Sequence, residues 1–178
     1  MAVSTTPVGA AAVQTGPTAR QALLDTYQRE SATTLKVLRA FPPEHAELRP
    51  HPTSNSAQQL AWTFAIENSL VEAALRNELR MPPAFPPMPA SWQECVSAYE
   101  SGVQRVATLL QSVRDEEMHE PVPFMTGPRQ LAEVPKLALC TLMLNDSIHH
   151  RGQLSVYLRM TGSKVPSIYG PSRDEPWT

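Results

Sequence analysis

The sequence lacks the features that mark several common classes of protein. Its two cysteines, Cys95 and Cys140, form no CxxC or other metal-binding spacing, and we predict that both are buried free thiols within helices. Lys and Arg number 15 against 17 for Asp and Glu, so the charge gives no reason to expect nucleic acid or an anionic membrane as a partner. No apolar run approaches the roughly 20 residues that a membrane span requires.

The N-terminal segment also lacks the features of a secretory signal. Residues 1–16 contain no Lys or Arg and only a weak apolar run, so we predict a disordered leader. Free thiols suit a reducing compartment. The predicted location is therefore the cytoplasm, with neither a membrane nor nucleic acid among the partners.

Glycine is scarce, with seven residues, whereas the 18 prolines occur in clusters. Proline clusters end helices. These clusters divide the chain into four long segments, at about 17–41, 56–80, 92–117 and 135–160. Each segment repeats apolar residues at steps of three and four, as helices with one buried face do. We predict one all-α domain over residues 17–178, a four-helix bundle with a short C-terminal tail packed on it.

The connections are predicted from turn and capping residues. Ser91 followed by Glu94 is the pattern of a capping box at the start of the third helix. The stretch Met118–Glu133 is predicted to be a loop, and Pro135 to lie in the first turn of the fourth helix.

The fourth helix carries polar side chains within its apolar stripe. Asp146 and His150 lie four residues apart and are neighbours on the helix surface, whereas His149 points about 100° away. Two such residues are suitable metal ligands when a facing helix supplies another. Alternatively, they form an ion pair, or the aspartate orients a neutral imidazole. An alternating four-three spacing puts on this face Leu139, Met143, Asp146, His150, Gln153, Tyr157 and Met160.

The second helix offers a carboxylate to the same site. Glu67 lies between Phe64 and Val71 on the inward stripe, where a carboxylate is costly unless it is paired or bound to a metal. The alternative is that Glu67 sits at the edge of the stripe and reaches solvent. Thr63, one turn earlier, is tolerable because a helical threonine can bond back to a carbonyl of the preceding turn.

Two segments resemble the DinB/YfiT-like family of four-helix bundles in order and spacing: LRPHPTSNSAQQLAW at Leu48–Trp62 and HHRGQLSVYLRMTGSKVPSIYGPS at His149–Ser172. The resemblance covers about residues 18–175. It implies an up-down-down-up bundle, often a homodimer, with a divalent metal (Ni, Zn or Fe) held by three histidines. Characterised members include thiol-dependent S-transferases and maleylpyruvate isomerase-like enzymes, in which the metal activates a low-molecular-weight thiol. The family name records induction by DNA damage, which implies a stress response.

Carried over residue by residue, the resemblance implies ligand positions at Thr63, Asp146 and His150, of which only His150 matches the family's histidines. Threonine is a poor ligand, and aspartate is an acceptable but different one. Glu67 offers a substitute, so the implied metal site is Glu67, Asp146 and His150. Supporting roles fall to His149, Arg151 and Gln153.

Three functions remain as hypotheses from the sequence. The first is a metal-dependent thiol S-transferase or hydrolase-like enzyme, in which a bound metal lowers the pKa of a thiol or water. The second is a non-catalytic, metal-free bundle that binds a small molecule or forms dimers. The third is metal-free acid–base catalysis by Asp146 and His150.

Overall fold

The computed structural model describes residues 16–177 and contains four long helices and one hairpin. The helices are α1 (Ala19–Ala40), α2 (Ala57–Leu75), α3 (Trp92–Ser112) and α4 (Lys136–Met160), and the hairpin pairs β1 (Pro121–Gly127) with β2 (Gln130–Pro135). The leader predicted at residues 1–16 lies, apart from its last residue, outside the described part of the chain. Within that part, no helix combines the length and apolar character that crossing a membrane would require.

Side-chain caps explain where three of the helices begin. Thr18 caps α1, and Ser56 caps α2 in a reciprocal capping box with Gln59. Ser91 and Glu94 form a second box at the start of α3, which confirms the predicted one. Each cap pairs amide N–H groups that the first helical turn leaves without carbonyl partners.

Contacts between helix ends establish the up-down-down-up topology. After α2 the connection returns to the starting end of that helix, where Gln58 Nε2 donates to the Pro89 carbonyl at 2.9 Å. The α3 residue Trp92 then donates to the Leu38 carbonyl at the end of α1. Helices α2 and α3 are therefore parallel, and α1 and α4 run in the opposite direction. This confirms the bundle topology that the resemblance implied.

The core consists of two apolar clusters with a layer of buried polar groups between them. One cluster contains the first half of α1 and α4, and the other contains the second half of each. Polar residues of the layer are 1–5% exposed: Glu30, Ser31, Thr34, Glu67, Asn68 and Arg151. None of the described buried side-chain nitrogen or oxygen atoms lacks a hydrogen-bond partner. The layer lies at mid-height of the bundle, and the candidate site belongs to it.

The loop predicted at Met118–Glu133 is wrong from residue 121 onward, because residues 121–135 form the antiparallel hairpin. Its prolines indicated a break in structure, yet each strand of a two-stranded sheet is an edge strand, on which proline is tolerated. Pro135 ends β2 and precedes α4 instead of lying in its first turn. The buried Lys136 joins the start of α4 to the residue before β1, since its Nζ lies 2.6 Å from Glu120 Oε2.

Two helices end earlier than predicted. Helix α2 stops at Leu75 instead of near residue 80, and Asn77 adopts a positive φ of 60° that ends the helical path. Helix α3 stops at Ser112, and a separate 3-10 turn covers Glu116–His119. Sequence periodicity continues past both ends, because apolar residues there pack from irregular backbone.

The C-terminal tail packs on the bundle, as predicted, through both apolar and polar contacts. Its aromatic residues Tyr169 and Trp177 are nevertheless 66% and 68% exposed. Asp174 accepts hydrogen bonds from Arg159 and from the Val165 amide, which hold the tail against the end of α4. Val165 also packs on the second apolar cluster.

Candidate functional site

Glu67 is the buried centre of the candidate site. Its residue exposure is 3%, so the alternative in which it reaches solvent is wrong. His150 Nδ1 lies 2.7 Å from Glu67 Oε1, the distance of a hydrogen bond in which the ring N–H donates to the carboxylate. Ser147 donates its hydroxyl to the other oxygen, Oε2. Both partners come from α4, so the contact joins α2 to α4 across the polar layer.

Asp146 lies at the open edge of the site. Its carboxylate Oδ1 is 3.9 Å from His150 Nε2, which is too long for a hydrogen bond, and its side chain is 45% exposed. The carboxylate that orients the imidazole is therefore Glu67, through Nδ1. Nε2 is the ring nitrogen turned toward Asp146.

Burial and pairing shift the pKa values of the two central groups. Burial raises the pKa of Glu67, against the opposing effect of the hydrogen bonds from His150 and Ser147. The hydrogen bond to Glu67 raises the pKa of His150, because a nearby carboxylate favours the imidazolium form. Pairing with Glu67 therefore favours the protonated form of His150.

Thr63 is not a free ligand in this structure. Its hydroxyl donates to the Gln59 carbonyl at 3.1 Å, the bond to the preceding turn that the sequence predicts for a helical threonine.

Two residues predicted to support the site lie on the solvent side of α4. His149 and Gln153 are exposed and contact each other, with 2.9 Å between their Nε2 atoms. The inward placement of Gln153 and Met160 by the four-three spacing is wrong. A straight helix drifts by about 20° per heptad relative to that spacing, which turns both residues outward. The His149 ring stays near the site, 5.4 Å from the ring of His150.

Arg151 belongs to a separate buried network. It is 1% exposed, and its Nη2 donates to Glu30 Oε2 at 2.8 Å and to the Tyr169 hydroxyl at 2.6 Å. Tyr169 in turn donates to Glu30 at 2.7 Å. The network links α4, α1 and the tail. Sequence reasoning did not predict the roles of Glu30 and Ser147. Their partners lie far away along the chain and on other elements, so no local pattern indicates them.

The two cysteines supply no nucleophile to the site. Both are buried free thiols, as predicted. Burial raises the pKa of Cys95 to about 11 and that of Cys140 to about 12, so neither forms a thiolate near neutral pH. Any thiol chemistry at the site needs a thiol from outside the chain.

The donor set of Glu67, Asp146 and His150 fits a divalent transition metal. Their ligand atoms all lie within 4.8 Å of one another, and no other group of three or more His, Cys, Asp or Glu side chains meets this condition among residues 16–177. One imidazole and two carboxylates suit zinc, nickel or iron, and the carboxylates also accept harder ions. The partly exposed Asp146 leaves one side of the site open, as catalytic metal sites require.

The chain is similar in sequence to a known protein family and to a protein of Bacillus subtilis. The profile of the DinB family matches residues 12–177. The uncharacterized protein YrdA of Bacillus subtilis (strain 168) is 23% identical over 153 residues, which cover 85% of this chain and 89% of that protein.

Solved structures agree with the same fold. A DinB-like protein from Bacillus cereus ATCC 10987 has a TM-score of 0.69 at 21% identity, over 83% of this chain and 95% of its own. A DinB-like protein from Bacillus subtilis has a TM-score of 0.66 at 17% identity, over 83% of this chain and 96% of its own. A conserved protein from Enterococcus faecalis has a TM-score of 0.61 at 18% identity, over 81% of this chain and 96% of its own. With the profile match over nearly the whole chain, these findings show that the chain belongs to the DinB family.

Proposed function

We propose that this DinB-family protein is a metal-dependent enzyme of the thiol S-transferase or hydrolase-like type. Glu67, Asp146 and His150 hold its divalent metal, which is zinc, nickel or iron. The observation that carries the proposal is the meeting of these three side chains, from two helices, with ligand atoms within 4.8 Å. The same proposal includes a low-molecular-weight thiol as co-substrate, which the family resemblance implies, and a cytoplasmic location, which the sequence predicts.

The chain's own residues explain how the site would work. When bound, the metal supplies a Lewis acid that lowers the pKa of a thiol or water. In this structure Glu67 accepts a hydrogen bond from His150 Nδ1, which fixes the imidazole beside the carboxylate. Both groups would exchange this hydrogen bond for bonds to the ion. Asp146, 45% exposed, stands where a small molecule from solvent reaches the site.

Metal binding is the direct test. We expect the full-length protein, purified without chelator or reconstituted with zinc or nickel, to bind one ion per site in calorimetric titration. Asp146→Ala should weaken binding at least tenfold, because it removes one of three ligands. Asp25→Ala, a change at an exposed aspartate of α1, is the matched control and should bind as the parent does. Absence of binding by the parent protein after reconstitution would remove the proposal.

A second candidate is a metal-free, non-catalytic bundle that binds a small molecule or forms dimers. One observation favours it: Glu67 accepts hydrogen bonds from both His150 and Ser147. Under this alternative, the pair is an internal polar contact between α2 and α4. The metal titration separates the two candidates.

Restoration of the family's histidines tests whether positions 63 and 146 converge on His150, as the family resemblance implies. Thr63→His combined with Asp146→His should then create a nickel or zinc site tighter than that of the parent. A double variant that folds but binds no more tightly would show that Thr63 does not converge on the site.

Homodimerisation is proposed from the family resemblance alone. Sedimentation velocity of the full chain, with and without zinc, should give a mass near twice that of the protomer. A single species at the protomer mass over the micromolar range would reject it.

A further inference from the structure

An apolar groove lies between the hairpin and the start of α4. Its volume is about 290 Å³, close to the lower limit for small-molecule sites. Thr126 is its one polar lining residue among the seven. The apolar lining residues are Phe124, Met125, Val134, Ala138, Leu139 and Leu142.

The groove is built from side chains that the bundle leaves open. Met125 of β1 and Leu142 of α4 are both 49% exposed, although they are large and apolar. Phe124 and Val134 pack on the first apolar cluster and form the floor. The hairpin thus adds a wall that four helices alone would lack.

Helical spacing places the groove next to the candidate metal site on α4. Leu139 and Leu142 lie seven and four residues before Asp146, so they share its side of the helix. The rise of a helix places Leu142 about 6 Å from Asp146 along the axis. A molecule with a polar group at Asp146 therefore reaches the groove with its next few atoms.

We propose that the groove receives the apolar part of the substrate, so that the substrate class is a small amphiphile. Its polar reacting group lies at Asp146 and His150, and its body is a short alkyl chain or an aryl ring against Leu142 and Met125. This inference rests on the proposed function for the polar end. The apolar end stands on the groove alone, so the two are tested separately.

Three probes distinguish the two ends. Acetohydroxamate, a small metal chelator, measures binding at the zinc-loaded site because it is too short to reach the groove. Hexan-1-ol measures binding in the groove of the metal-free protein, through NMR shifts of the Met125 and Leu142 methyl signals. Hexanohydroxamate is long enough to occupy both the metal site and the groove. Because each buried methylene strengthens binding about fourfold, its four extra methylenes should give roughly a 250-fold gain over acetohydroxamate.

Matched variants test whether the affinity difference between the two hydroxamates arises in the groove. Leu142→Gln should remove most of the difference between the two hydroxamates while leaving acetohydroxamate binding unchanged. Val156→Gln makes the same kind of change at another exposed apolar residue of α4, 57% exposed, and should keep the full gain. Ala138→Phe, which fills the groove from an exposed position, is the second variant and should also remove the gain.

The outcomes separate this inference from the proposed function. Acetohydroxamate that fails to bind rejects the proposed function, while hexanol shifts at Met125 and Leu142 still support the groove. Hexanol that shifts neither methyl signal overturns the inference, even where acetohydroxamate binds. Equal affinities for the two hydroxamates, or a gain that survives Leu142→Gln and Ala138→Phe, also overturn it.

Discussion

Single residues in the polar layer have partners that determine their chemistry. A buried carboxylate is costly unless it is paired, and Glu67 is paired by His150 and Ser147. Glu30 is paired by Arg151 and Tyr169. Both glutamates are 3–5% exposed, so their hydrogen bonds govern protonation and stability more than solvent does.

Loss of the Glu67 carboxylate should destabilise the chelator-treated protein. Glu67→Leu leaves the His150 and Ser147 donors without an acceptor, which lowers the free energy of unfolding by about 1–3 kcal/mol. Glu67→Gln retains an acceptor oxygen and should lose much less. Urea unfolding followed by circular dichroism measures both, and equal stability of Glu67→Leu and the parent would contradict the pairing.

The contribution of Glu30 should depend on pH in a defined direction. Burial raises its pKa, but hydrogen bonds from Tyr169 and Arg151 outweigh this effect and bring the pKa below the usual 4.5. A carboxyl with a lowered folded-state pKa stabilises above its unfolded-state pKa and loses this contribution as pH falls through the folded-state value.

Glu30→Gln should therefore be less stable than the parent by about 3–5 kcal/mol at pH 7, because it leaves Arg151 buried and unpaired. The difference should shrink as pH falls below about 5. Urea unfolding at a series of pH values measures it. Glu100→Gln breaks the 2.9 Å pair with Arg39, which is largely exposed, and as the control should cost less than about 1 kcal/mol. A pH-independent difference at Glu30 would reject this account.

At the level of elements, two consecutive residues of α4 contact three different neighbours, namely α2, α1 and the C-terminal tail. Because each residue advances the helix by about 100°, His150 faces Glu67 of α2, whereas Arg151 faces Glu30 of α1 and Tyr169 of the tail. Leu142, two turns earlier, borders the groove beside the hairpin. The candidate site, the tail attachment and the groove therefore depend on one helix.

The tail should loosen when its hydrogen bonds to the network are removed. Tyr169→Phe deletes the hydroxyl that contacts both Arg151 and Glu30 and leaves the exposed ring in place. Amide hydrogen exchange over residues 163–177 should accelerate about three- to tenfold, the effect of about 0.5–1.5 kcal/mol. Trp177→Phe removes only the exposed bond to Ser167 and is the control. Unchanged exchange in Tyr169→Phe would show that other contacts hold the tail.

At the level of the whole molecule, the polar layer joins two apolar clusters into one bundle. Helices α2 and α4 meet in this layer through the candidate ligands, so an ion bound there would bridge helices that the unfolded chain separates. A ligand that binds only the folded state stabilises it by mass action.

Zinc should therefore raise the unfolding free energy of the full chain. At a free zinc concentration 100 times the dissociation constant, the expected gain is about 2.7 kcal/mol. Chelator should reverse it, and Asp146→Ala, which should bind at least tenfold more weakly, should gain no more than about 1.4 kcal/mol at the same zinc concentration. Thermal and urea unfolding with and without zinc measure the effect. A gain of the same size in Asp146→Ala would place zinc elsewhere on the protein.

Much of the architecture was predictable because it depends on local pattern. Proline clusters, capping residues and three-four spacing predicted four helices, and the capping box at Ser91 was located to the residue. Helix spacing predicted Glu67, Asp146 and His150 as one site, and the family resemblance implied ligand positions at Asp146 and His150. Helix ends were less accurate, and the hairpin was missed because its ladder depends on pairing between strands that contain proline.

The sequence by itself determined the helices and which of their faces are buried, because helical hydrogen bonds join residues four apart. Only the tertiary structure decided the partners of buried charges. Glu67 and His150 are 83 residues apart, and Glu30 and Arg151 are 121 apart. No local pattern specifies such pairs, since they form only when packing removes water from both groups. For this reason the spacing in the sequence suggested an Asp146–His150 pair, whereas in the folded protein His150 forms its hydrogen bond with Glu67.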